Sequence, residues 1–168
     1  MDNQKEHKVR RLRKGDGENC RLIRLEALRH APDAFGSTYE KEAERDVAQF
    51  EDRVVSGCIF GAFSAERIVG MAGFNQQSGE KFRHKGVLWG MYVTPEFRNA
   101  GIGEDLVTAV LDHAKELVDL VTLSVVTENA SALAMYSKMG FQTYGLESRA
   151  LKIKDGYLSE TLMVRNLN

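Results

Sequence analysis

Cysteine is scarce in this 168-residue chain, and the two present, Cys20 and Cys58, stand far apart with no C-x-x-C or metal-type spacing. The four histidines, His7, His30, His84 and His113, form no H-E-x-x-H or similar cluster, so no metal is expected. There is no apolar run long enough to cross a bilayer and no secretory leader pattern. A reducing cytoplasm and no membrane partner are therefore the expectation. Charge of either sign is also nearly absent in net terms. Twenty-three Lys and Arg against 24 Asp and Glu leave −1, which gives a nucleic-acid partner no support from bulk electrostatics. The one basic stretch, Lys8, Arg10, Arg11, Arg13 and Lys14, alternates with Val9 and Leu12 and reads as the solvent face of an opening strand. Repeats, low-complexity tracts and linkers are missing too.

What is there is ordinary in bulk and specific in order. A hydrophobic content of 43% and a charged content of 28% suit one globular domain over residues 1–168 with a real core. Val9 to Arg13 reads as a strand, and Gly15-Asp16-Gly17 breaks the chain before a helix whose apolar face carries Leu22, Ile23, Leu25 and Leu28. A loop from Ala31 to Thr38 holds Pro32, Asp33, Phe35 and Gly36. A second helix is expected over Glu40 to Val55, with Val47, Phe50 and Val54 inward. Cys58 to Phe63 and Ile68 to Phe74 read as a hairpin, Asn75 to Lys81 as a polar loop, and Gly86 to Val93 as a third apolar strand. Ile102, Leu106, Val110, Ala114 and Leu117 repeat at helical spacing, and Leu120 to Val126 has the β-branched run of a buried strand. Strand, crossover helix and buried strand make a βαβ unit with parallel pairing. A short helix over Glu128 to Met139 stops at Gly140, and a hairpin, Phe141 to Ile153 and Tyr157 to Leu167, closes the chain.

Two constellations carry chemistry. Val93 to Gly103 reads V-T-P-E-F-R-N-A-G-I-G and runs straight into the helix of the βαβ unit. A glycine turn at a helix N-terminus presents outward backbone N–H groups and about half a positive charge, which suits a phosphate. Neither G-x-x-x-x-G-K-[ST] nor a completed G-x-G-x-x-G is present, so a P-loop nucleotide and a Rossmann dinucleotide are excluded. Glu104 and Asp105 suit the helix dipole but would repel a polyanion unless turned outward. The same residues also suit an ordinary helix entry. The second constellation places Asn129, the small Ala132 and Tyr136 on one helix face, although, taken alone, Asn129 as a plain N-cap and Tyr136 as a core aromatic explain them better.

In order, V-x-P-x-F-R-x-x-G-I-G followed by N-x-x-A-x-x-x-Y-x-K-x-G-F resembles the GNAT superfamily of acyl-CoA-dependent N-acyltransferases, and the strand and helix order resembles it over nearly the whole chain. The resemblance implies an α/β fold: a mixed, mostly antiparallel twisted sheet with a central parallel βαβ unit, strands 4 and 5 splayed, and helices on both faces. It implies acetyl-CoA as co-substrate. Main-chain groups of Met91, Tyr92 and Val93 would align the pantetheine arm, and Arg98, Asn99, Ala100, Gly101, Ile102, Gly103 and Glu104 would wrap the pyrophosphate. Asn129, with Ala132 leaving room, would hydrogen-bond the pantetheine, and Tyr136 would protonate the departing thiolate. A strand N–H near Tyr92 or Val93 would hold the oxyanion.

The implied reaction is attack of a neutral amine, from a small molecule or a peptide, on the thioester. A free phenol near pKa 10 gives its proton to a thiolate near 8.5 only at a cost of about two kcal/mol, so the transfer must accompany C–S cleavage. Many relatives carry a carboxylate on the strand before the phosphate turn, whereas Gly86 to Val93 holds neither Asp nor Glu. Glu26, Glu40, Tyr39, Glu128 or a water chain would then serve as base. The missing carboxylate also motivates a non-catalytic acyl-CoA-binding module, and a protein lysine or N-terminal acetyltransferase is the third reading. The Ala31 to Tyr39 loop is the natural place for acceptor selection. Residue patterns leave the acceptor and a homodimer open.

Overall fold

The computed structural model describes residues 6–167. Seven strands, β1 (Lys8–Arg11), β2 (Cys58–Ser64), β3 (Arg67–Gln76), β4 (Lys85–Val93), β5 (Leu120–Val126), β6 (Gln142–Ile153) and β7 (Gly156–Asn166), pair in the order β1-β2-β3-β4-β5-β7-β6. Five α-helices are interspersed: α1 (Gly17–His30), α2 (Tyr39–Ala43), α3 (Val47–Ser56), α4 (Ile102–Ala114) and α5 (Ala130–Lys138). The sheet is mixed and mostly antiparallel with one parallel pair, as the sequence implies. The chain forms two compact units, one from residues up to Phe74 with Gly90–Val110, the other from Asn75–Trp89 with Leu111 onward.

In the first unit β1 pairs antiparallel with β2, and β2 with β3, around the turn at Ala65, whose φ is +52°. Apolar residues fill both faces of β2 and β3, so these strands are buried almost throughout. Gly70 lies so close to its neighbours that a Cβ there would stand 3.1 Å from the Tyr92 carbonyl oxygen and 3.1 Å from Leu106. Close approach of this kind seats the start of α4 against β3 and the end of β4. Arg10 clamps Asp16 through two bonds of 2.7 and 2.8 Å, tying β1 to the start of α1.

The expected helix over Glu40 to Val55 is two helices. Asp46 accepts from the Gln49 N–H while the Gln49 side chain accepts from the Asp46 N–H, a reciprocal cap that starts α3 afresh. Val47, expected inward, is the first residue of α3 and is exposed, whereas Phe50 and Val54 are buried as expected. Leu22 is likewise exposed. The buried face of α1 follows Cys20, Ile23, Arg24, Ala27 and Leu28, so an arginine occupies a position that apolar patterning would leave to a leucine. Leu117 lies beyond the end of α4 and is exposed.

In the second unit β5 pairs in parallel with β4 from Lys85↔Leu120 to Val87↔Thr122 and along its whole length with β7. Beyond Val87, β4 lies outside this parallel pairing, and Gly90 follows with φ +64°. The β6–β7 hairpin carries two register shifts. Helix α5 ends at Gly140, φ +85°, where the Arg165 guanidinium donates to the Met139 carbonyl.

Candidate active site

The turn between β4 and α4 joins left-handed backbone to a helix start. A one-turn 3-10 helix over Pro95–Phe97 leads into Arg98, then Asn99 at φ +60° and Gly101 at φ +79°. Alternation of left-handed residues with ordinary ones turns successive N–H groups to the same side. The N–H of Asp105 donates to the Gly101 carbonyl, so the N–H groups ahead of it in α4 have no acceptor inside the helix. A Cβ at Gly101 would meet no atom within 4 Å, so the turn is open on that side. Arg98 folds back, its Nε donating to the Val93 carbonyl at 3.0 Å and its guanidinium lying 5.8 Å from the Tyr92 ring centroid. Asp105 is engaged by His7, whose Nε2 lies 2.7 Å from its carboxylate. Of the two acidic groups in the first turn of α4, Asp105 thus has a side-chain partner.

On the α1 side of β4 the first unit assembles a polar cluster. The hydroxyls of Tyr92 and Thr94 both donate to Glu26 Oε1, at 3.1 and 2.6 Å. Since the Tyr92 hydrogen goes to the carboxylate, the Nδ1–H of His30, 3.0 Å away, donates to the Tyr92 oxygen. That tautomer leaves His30 Nε2 as an acceptor. Burial, and then the neighbouring Glu26 charge, push the Tyr92 hydroxyl up to about 12, so it stays protonated. Glu26 and His30 also line a cleft of about 720 Å³ with Leu22, Arg29, Tyr39 and Arg67. Of the sequence-nominated bases, Glu26 is joined to the end of β4. Tyr39 is taken up by Arg29, 2.5 Å from its hydroxyl, and Glu40 and Glu128 are exposed side chains.

In the second unit Asn129 is the N-cap of α5, its Oδ1 accepting from the Ala132 N–H and the Ser131 hydroxyl, both at 3.2 Å. The expected helix over Glu128 to Met139 therefore begins at Ala130, and Asn129 stands outside the helical face assigned to it. The Tyr136 ring is buried edge-on against Phe141, with centroids 5.7 Å apart, and burial pushes its phenol well above its ordinary value. Both residues thus carry the plain structural roles that the sequence allows. The carbonyl side of the Asn129 amide is committed to capping.

Sequence reasoning missed Thr94 and His30 as partners of the cluster and His7 as the partner of Asp105. Their separations, 68, 62 and 98 residues from the groups they touch or share, leave no local signal. Among the described residues no group of three or more His, Cys, Asp and Glu is placed to hold a metal ion, and no helix is long and apolar enough to cross a membrane.

A model of the acetyltransferase (GNAT) family matches residues 24–141. The chain is 36% identical over 93 residues to the N-alpha-acetyltransferase RimI of Mycobacterium tuberculosis, covering 55% of this chain and 57% of that protein. Among the first curated relatives it spans from 25% to 57% of their length. A GNAT-family acetyltransferase from Streptococcus pneumoniae has the same fold, with a TM-score of 0.85 at 19% identity over 97% of this chain and 100% of that one. So does yncA from Salmonella typhimurium, solved with its cofactor acetyl-CoA, with a TM-score of 0.81 at 19% identity over 97% of this chain and 95% of that one.

Proposed function

The chain belongs to the GNAT acetyltransferase family, and from that premise we propose that it is an acetyl-CoA-dependent N-acetyltransferase acting on a primary amine of a small molecule or peptide. The observation that carries the reading is the turn at Arg98–Gly103, where left-handed Asn99 and Gly101 lead into the start of α4 and a Cβ at Gly101 would meet nothing within 4 Å. That geometry fits a pyrophosphate, which needs close approach to backbone N–H groups and no bulky side chain. Met91, Tyr92 and Val93, the turn residues Arg98 to Glu104, Asn129 and Ala132 are assigned to cofactor binding by the family pattern. The Asn129 role falls to its amide N–H, since its carbonyl oxygen caps α5.

The thioester supplies an acyl carbon with a good leaving group, and protons must leave the nitrogen and reach the sulfur. An alkyl amine with pKa near 10 is about 99.9% protonated at pH 7, so a base must free its lone pair. We assign this to Glu26. It accepts two hydrogen bonds on one oxygen, from Tyr92 and Thr94, and lines the cleft. As nitrogen bonds to the acyl carbon, the C–S bond breaks, sulfur takes a proton, and the nitrogen sheds its second proton to solvent to leave a neutral amide. Tyr136 is assigned that donation, and its raised pKa means that the proton leaves only as thiolate charge develops.

Glu26 supplies a carboxylate beside β4 that the strand itself lacks, which favours an enzyme over a non-catalytic acyl-CoA binder. The test is thiol release from acetyl-CoA across a panel of small amines, amino acids and peptides. Release that depends on an amine supports the reading. Preference for peptide N-termini or lysine side chains would direct it to the protein-modifying reading, and tight CoA binding with no release on any amine would overturn catalysis.

A further inference from the structure

Thr94 is the residue between the end of β4 and the proline that opens the one-turn 3-10 helix. A proline disfavours helical backbone at the residue before it, and Thr94 avoids that region, with φ −51° and ψ 132°. Its N–H donates to the Val69 carbonyl and its own carbonyl accepts from the Phe97 N–H, both at 2.9 Å. The backbone of Thr94 is thus tied to β3 on one side and to the 3-10 helix on the other. A β-branched side chain on so fixed a backbone has few rotamers open to it.

The hydroxyl held by this frame lies 2.6 Å from Glu26 Oε1, closer than the 3.1 Å bond from Tyr92 to the same oxygen. Thr94 is only 2% exposed, so bulk water cannot stand in for a lost donor there. Both bonds fall on Oε1, and the second carboxylate oxygen, Oε2, takes part in neither. Glu26 itself is half-buried and lines the cleft from α1. A glutamate in such a place keeps several rotamers unless a rigid neighbour selects one. Thr94 is that neighbour, because its donor sits on a strand end fixed by main-chain bonds at both sides.

We propose that Thr94 is a positioning residue for acetyl transfer: its hydroxyl holds Glu26 Oε1, so that Oε2 is the atom that takes the proton from the acceptor amine. The inference rests on the acetyl-transfer reading and deepens it by naming the proton-accepting atom and the residue that aims it. The N–H bond of the amine breaks, its proton goes to Oε2, and the electron pair stays on nitrogen to attack the acyl carbon. Oε1 keeps both donors through the step. Thr94 acts only through Glu26.

The experiment measures thiol release from acetyl-CoA with the best amine of the panel, and CoA affinity by calorimetry, on single and paired variants. Thr94→Val keeps the shape and removes the donor, and should lower kcat by roughly tenfold to a hundredfold while the CoA Kd stays within about twofold. Thr94→Ser restores the donor and should bring kcat back to within about threefold of the wild type. In a Glu26→Gln background Thr94→Val should cost at most about twofold more, since a residue that acts through Glu26 is not additive with it. A merely structural threonine would cost the same in both backgrounds. An unchanged kcat in Thr94→Val, an additive loss beside Glu26→Gln, or a CoA Kd that weakens in step with kcat each overturns the assignment and leaves acetyl transfer standing. Absence of thiol release with every amine removes the acetyl-transfer reading and this inference with it. If Thr94→Val does not fold, Thr94→Cys against Thr94→Ser decides, because a thiol of similar size is a weak donor. A kcat for Thr94→Cys well below that of Thr94→Ser supports positioning, and equal values overturn it.

Discussion

Replacing Gly101 with valine separates a functional turn from a structural one. At φ +79° the residue sits where a β-branched side chain is strained, at roughly 1–2 kcal/mol by the steric cost of left-handed backbone. No neighbour adds to that, because a Cβ would meet nothing within 4 Å. For a chain of this length about 1 kcal/mol lowers Tm by roughly 2–4 °C, so the variant should melt roughly 2–8 °C below the wild type and still fold. Its effect on CoA should be much larger. The branched Cβ projects into the space a phosphate oxygen would enter, and losing one charge-assisted main-chain bond corresponds to about 1.5–3 kcal/mol, or roughly tenfold to a hundredfold in Kd. Titration calorimetry with CoA measures the affinity, and a melt of the same sample measures the strain. Gly15→Val is the control, since Gly15 also has positive φ, +98°, with nothing within 4 Å of its Cβ. It should lose stability and keep CoA affinity. If Gly101→Val binds CoA as the wild type does, the turn is only a helix entry and the cradle reading fails.

Three further outcomes can be checked on the same material. Tyr136→Phe should lower kcat by about 10²–10⁴ while changing CoA Kd little, and an unchanged kcat would remove Tyr136 as the acid. Glu26→Gln keeps an oxygen acceptor for Tyr92 and Thr94 but cannot take a proton, so kcat should fall by a similar 10²–10⁴ at unchanged CoA affinity; full activity would pass the role to water or to His30. Asp16, held down to about 2 chiefly by its hydrogen bonds from Arg10, stabilises the fold above its ordinary value of 3.8, and that contribution is lost as pH falls through about 2. Asp16→Asn should therefore cost about 2 kcal/mol at neutral pH, and its stability difference from wild type should shrink below about pH 4 in denaturant titrations.

Glu26, Thr94 and His30 show how the site depends on packing. None lies in a motif, and Glu26 was one of several acidic residues that could have served. Its place follows from α1 meeting the end of β4, which brings residues 66 and 68 positions apart within 3.1 and 2.6 Å. Arg24 is the converse case. Helical periodicity read from hydrophobic residues alone put Leu22 on the inner face, and the observed face instead follows Cys20, Ile23, Arg24, Ala27 and Leu28. A buried arginine departs from the hydropathy pattern, and its guanidinium lies over the Phe35 ring, 5.2 Å from the centroid.

The amino-acid sequence by itself determined the order of strands and helices apart from the break between α2 and α3, the parallel unit, the glycine turn before α4 and the family pattern. Each of these rests on local signals: period-2 and period-3.6 apolar spacing, a proline stop, and glycines where backbone must turn left-handed. Tertiary structure decided which carboxylate meets the end of β4, that His7 occupies Asp105, that Asn129 caps α5 and stands outside its face, and that Arg24 is buried with its Nε and Nη1 lacking hydrogen-bond partners. The physical reason is that hydrogen bonds and burial depend on distance in space, while sequence patterns report only what lies within a turn or two of the same element.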